Sequence, residues 1–140
     1  MARPVLVVAG RSRPHEVLLL ATSIPLGAGV LLTAPAPQSL TSLMPRWFVL
    51  AWAAALAVSG LVGLVAIYWP GPAARKLSAE SAALILNGGS LGVFALAAVA
   101  ASGWRAWFAA SYFAAWAAAD IIRSLQIRRD LKAIVAAGQS

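Results

Sequence analysis

Trp69-Pro70-Gly71-Pro72-Ala73-Ala74-Arg75-Lys76-Leu77-Ser78-Ala79-Glu80 decides how this chain folds, because it is the one strongly polar break between two long, nearly uncharged apolar blocks. Pro70, Gly71 and Pro72 cannot continue a helix. The adjacent Arg75 and Lys76 are costly in hydrocarbon, and Ser78 with Glu80 and Ser81 suits a helix start. The stretch therefore reads as a loop over 70–80 that ends one membrane helix and begins another.

Before this loop, residues 47–69 contain no charge and are long enough to cross a bilayer with some tilt. Trp47 and Phe48 at one end and Tyr68 and Trp69 at the other suit the headgroup level, where amphipathic rings collect. Inside this span Ala55, Ser59 and Gly63 recur every four residues, a ridge that lets another helix approach. Beyond the loop, a span over 81–101 contains Asn87-Gly88-Gly89-Ser90-Leu91-Gly92, the most polar patch in any span. Gly88 and Gly92 form a Gly-xxx-Gly pair, and Asn87 can hydrogen-bond to a neighbouring helix. These residues serve packing within the monomer, self-association or the lining of a polar passage. After Ser102-Gly103, a fourth span over 104–122 carries Ala110, Ala114 and Ala118 on one ridge. It then continues as a basic amphipathic tail over 123–140, where Leu131, Ile134 and Val135 oppose Arg128, Arg129, Asp130 and Lys132.

The first span covers 17–33 and is short for a crossing, with Pro25 expected to kink it. It follows a basic arm over 1–15, which is expected to lie on the membrane surface. Ala34-Pro35-Ala36 resembles a signal-peptidase site, but Pro37 after it, the long basic region and the further spans argue for a retained helix. The connection over 34–46 is proline-rich, with a short interfacial turn expected from Ser39 to Met44.

Composition agrees with this all-α, integral-membrane reading. Hydrophobic residues make up 61% and charged residues 11% of the chain, and the mean hydropathy is +0.83; soluble domains carry roughly 25% charge. The net charge of +7 would suggest nucleic acid in a soluble protein, but the cations here flank apolar spans. They are expected to meet lipid headgroups, through Arg11, Arg13, Arg75, Lys76, Arg128, Arg129 and Lys132. With no cysteine, disulfides and thiolate metal sites are excluded.

Lysine and arginine counts set the expected orientation. Arg3, Arg11, Arg13, Arg75, Lys76, Arg123, Arg128, Arg129 and Lys132 fall on one side of the proposed spans, and only Arg46 and Arg105 on the other. By the positive-inside rule both termini and the 70–80 loop face the cytoplasm, giving two outward-pointing hairpins in a bacterial cytoplasmic membrane.

Sites of chemistry are few. His15 and Glu16 suit a cap or headgroup-level role, since one histidine without further ligands is not a metal site. Asp120 is the acid most nearly inside the membrane. It lies three residues before Arg123, so an ion pair at the cytoplasmic interface is the simpler account and proton or ion handling the alternative. No phosphate-binding loop, nucleophile-base set or metal cluster is visible, so no enzyme activity, cofactor or small-molecule substrate is expected.

In outline the chain resembles the small four-span, holin-like membrane proteins encoded by actinobacterial phages. The likeness rests on the Arg-Pro basic start, Met44-Pro45-Arg46-Trp47 after a Pro-rich loop, Ser59-Gly60-Leu61-Val62-Gly63, and Gln126-Ile127-Arg128-Arg129-Asp130-Leu131. It implies lateral association into homo-oligomers, timed loss of the membrane barrier and release of an endolysin, and it supplies no catalytic residues. The rival expectations are a non-catalytic accessory or regulatory subunit of a larger membrane complex and, third, a small transporter.

Overall fold

A computed structural model describes residues 14–33 and 36–137, with the side chains of 134, 135 and 137 excepted. Arg11, Arg13 and most of the basic arm lie outside these residues. The described chain is helical throughout: α1 (Pro14–Thr33), a short α2 (Gln38–Thr41), α3 (Arg46–Tyr68), α4 (Ala73–Ser102), a 3-10 turn (Gly103–Ala106) and α5 (Trp107–Ala137).

Proline sets most of the helix starts. Pro14 is the first residue of α1, where its missing N–H costs nothing and its fixed φ fits the helix. Pro37, Pro45 and Pro72 precede α2, α3 and α4 with extended ψ values of 131°, 153° and 131°. Their carbonyls accept the first amides of the following helix, as Pro72 does from Arg75 and Lys76 at 3.0 and 3.2 Å. Pro25 lies inside α1, which continues past it; a membrane helix tolerates this where neighbouring helices protect the freed carbonyl.

The central break is shorter than its composition implies. The helix resumes at Ala73, so Arg75 and Lys76 stand in the first turn of α4 and Ser78 and Glu80 in the second. Pro72 acts as a helix start, and the residues after it, Ala-Ala-Arg-Lys-Leu, all favour helix. The expected loop over 70–80 is corrected accordingly, since residues 73–80 are helical. With 30 residues at ~1.5 Å each, α4 is about 45 Å long and overreaches the ~30 Å hydrocarbon layer. Likewise α5 runs unbroken into the tail as far as Ala137.

Three helical runs are long and apolar enough to cross a membrane: Pro14–Thr33, Arg46–Tyr68 and Ala73–Ala133. The third doubles back at the 3-10 turn, where Gly103 has φ +58°, a conformation that favours glycine. A buried bond between Ser81 and Ser124 and the packing of Ala95 and Ala98 on Ala110 run along the resulting hairpin. In space α1 packs on α3, α3 on α4 and α4 on α5, while α1 and α5 border a groove.

The apolar core joins Leu40, Val49, Trp52, Ala53, Leu56, Leu91 and Ala117. Trp52 stacks on Phe94, whose ring meets Phe113 edge-on with centroids 4.7 Å apart. The Trp52 indole also donates to the Ser90 carbonyl at 2.8 Å, a buried bond between α3 and α4. The outer surface is apolar as well: Leu18, Leu32, Leu96 and Phe108 are largely exposed, as expected of a belt that meets lipid.

Candidate functional site

Polar side chains that face inward on each long helix converge near the bundle's middle. Asn87 is fully buried at the midpoint of α4, with 14 residues before it in the helix and 15 after. Its Oδ1 accepts from Ser23 of α1 at 2.9 Å and from Ser59 of α3 at 3.1 Å. Its Nδ2 donates to Asp120 Oδ2 of α5 at 2.9 Å. One amide therefore ties all four long helices together.

The polar seam continues along the bundle. Toward the start of α4, Ser81 and Ser124 share a buried hydroxyl bond of 2.7 Å, and Arg128 Nε donates to the Ser81 hydroxyl at 3.4 Å. Between these levels Arg123 of α5 lies 3.4 Å from Glu16 of α1 and 3.7 Å from Glu80 of α4. Its Nε is enclosed without a hydrogen bond among the described residues, so charge rather than bond geometry holds the Glu16 pair. From Ser81 to Asn87 the seam extends about 9 Å along α4 at ~1.5 Å per residue.

The pairing expected between Asp120 and Arg123 is thus corrected. The Asp120 carboxylate turns inward to Asn87 and Arg123 turns to the two glutamates. Residues three apart on a helix are neighbours, but better-placed partners on adjacent helices win both. Asp120 is 5% exposed and bonds to Asn87 at the midpoint of α4. Glu16, expected as a cap, reaches across to a third helix.

The small residues divide by what surrounds them. A Cβ on Gly88 would sit 2.9 Å from the Ala117 carbonyl and 3.1 Å from the Asp120 Cβ, so this glycine is used in the α4–α5 contact. A Cβ on Gly63 would lie 2.7 Å from the Leu20 side chain, and Ser59 is fully buried. A Cβ on Gly92 would meet only Ala117, at 3.8 Å. Ala110 is buried in the hairpin and Ala114 is exposed. Arg75 and Arg129 are exposed, as is Lys132, and Lys76 is half-buried.

Sequence reading missed Ser23, Ser81, Ser124 and the closest glycines, Gly27 and Gly60. A Cβ on Gly60 would lie 2.5 Å from the Leu20 carbonyl, and one on Gly27 would overlap the Ala53 carbonyl. Gly60 falls in the same short run as Gly63, but Gly63, in step with Ser59, took the weight. Among the described residues no group of three His, Cys, Asp or Glu could hold a metal ion. No protein family matches the chain, and no curated protein or solved structure is significantly similar to it.

Proposed function

We propose that this is a non-catalytic, holin-like protein of a bacterial cytoplasmic membrane. In this reading four helices cross as two hairpins with both termini inside, and copies associate laterally to permeabilise the bilayer. The observation that carries it is the polar seam enclosed by an apolar shell, open where Asp120 borders the groove between α1 and α5. Ser23, Ser59, Asn87 and Asp120 cost little while they satisfy one another. When helices separate and copies associate, the same side chains supply a wettable wall for a lesion, and the apolar exterior stays against lipid or a neighbouring copy. Arg123, Glu16 and Glu80 add charge at the inner end. A charge displaced through the full membrane field gains or loses ~2.3 kcal/mol per 100 mV, so the potential can weigh on the balance between closed and open arrangements.

Inducible expression in a bacterial host is expected to give a delayed, abrupt loss of membrane potential, read with a potentiometric dye. A steady potential at comparable membrane levels of the protein contradicts this function. It favours the second reading, an accessory subunit, for which the supporting observation is that Ser59, Gly63 and Gly88 are already occupied inside one chain.

A further inference from the structure

The groove between α1 and α5 shares Glu16, Asp120 and Arg123 with the polar seam and has the make-up of a ligand site. It encloses about 530 Å³, within the ~300–1,000 Å³ usual for small-molecule pockets. Leu18, Leu19, Trp116 and Ile122 form its apolar wall, and His15, Glu16, Asp120 and Arg123 lie at its polar side. We propose that the groove binds a lipophilic monovalent cation, an ammonium or phosphonium centre on an apolar body, with Asp120 as its counter-ion.

Three observations converge on that charge and shape. The Asp120 carboxylate is held at Oδ2 by Asn87. Asn87 is the one side chain hydrogen-bonded to this carboxylate among the described residues, and Asp120 lines the groove. Arg123, the guanidinium on the same wall, is flanked by Glu16 and Glu80; with its charge offset, the remaining carboxylate sets the sign of the site. Trp116 presents an aromatic ring, and cations are attracted to such faces. A small hydrated ion would leave the apolar wall unused. A lipid acyl chain would leave the carboxylate unanswered.

The test uses the purified full-length chain in lipid nanodiscs, with tetraphenylphosphonium as probe and tetraphenylborate, of the same shape and opposite charge, as competitor. Saturable tetraphenylphosphonium binding is expected, with tetraphenylborate failing to compete. Asp120→Asn preserves an acceptor for Asn87 and is expected to weaken binding at least ~10-fold, through loss of the partner charge. Ala119→Phe, at an exposed position lining the groove, is expected to abolish it by filling the space. If Asp120→Asn does not fold, Ala119→Phe decides alone. Equal binding of both ions, or tetraphenylphosphonium binding unchanged in a folded variant, overturns the proposal and leaves the groove to lipid. Because this is a binding measurement on resting protein, its failure leaves the expression experiment untouched, and the converse holds.

Discussion

Asn87→Ala is expected to lower the unfolding free energy by about 2–4 kcal/mol, measured by denaturant titration in mixed micelles. The side chain makes three interhelical hydrogen bonds, to Ser23, Ser59 and Asp120. Such bonds in membrane proteins average ~0.6 kcal/mol and reach ~1.7. The loss should lie above the summed average, because truncation leaves a buried carboxylate without its donor. Ser90→Ala is the matched control. Among the described residues the Ser90 hydroxyl bonds only to Leu86 of its own helix, so its removal is expected to cost less than ~0.5 kcal/mol. Equal losses for the two variants would mean that the Asn87 amide does not organise the bundle. The coupling energy of the Asn87→Ala, Asp120→Ala cycle separates their mutual bond from the cost of each deletion.

Gly27→Val and Gly60→Val are expected to prevent α1 from docking on α3, a loss of at least ~3 kcal/mol that leaves the protein protease-sensitive in detergent. Overpacking usually costs ~1–3 kcal/mol where side chains can shift. Here the nearest atoms include backbone: the Ala53 carbonyl and Ala57 amide at Gly27, and the Leu20 carbonyl at Gly60. Backbone cannot swing aside, so the helices must part. Gly89→Ala provides the contrast, since nothing lies within 4 Å of its added carbon. That change is expected to be neutral or stabilising by up to ~1 kcal/mol, the difference in helix propensity. Full stability in Gly60→Val would contradict the close α1–α3 approach.

The helices were legible because their signals are local. Runs such as 47–69 have the length and apolarity of a span, and Gly103 with its flanking polar residue marks a turn. The start of α4 misled because proline, glycine and charge suggest a loop, whereas Pro72 also fits immediately before a helix. The seam was half legible. Asn87 and Asp120 stood out as polar residues in apolar surroundings, and Ser59 through its small-residue spacing. That Asn87 meets Asp120 depends on how the α4–α5 hairpin is registered, which no local pattern encodes. Ser23 was hidden for a different reason: a serine in a membrane helix can satisfy itself on its own backbone, as Ser23 also does at the Leu19 carbonyl. Arg123 showed a nearby acid in sequence and chose two distant ones in space.

Permeabilisation by this route requires the enclosed seam to become the wall of a water-filled lesion. The chain has no native cysteine, so single replacements report cleanly. Ser59→Cys, at a fully buried seam position, and Leu96→Cys, at a position 74% exposed on the apolar exterior, are to be labelled in cells with a membrane-impermeant thiol reagent before and after the potential collapses. The expected result is that the thiol of Ser59→Cys is unreactive at first and becomes reactive with the collapse, while that of Leu96→Cys stays protected by lipid or a neighbouring copy. A potential that collapses while the seam thiol stays unreactive, or a lesion that exposes the exterior thiol instead, would contradict it.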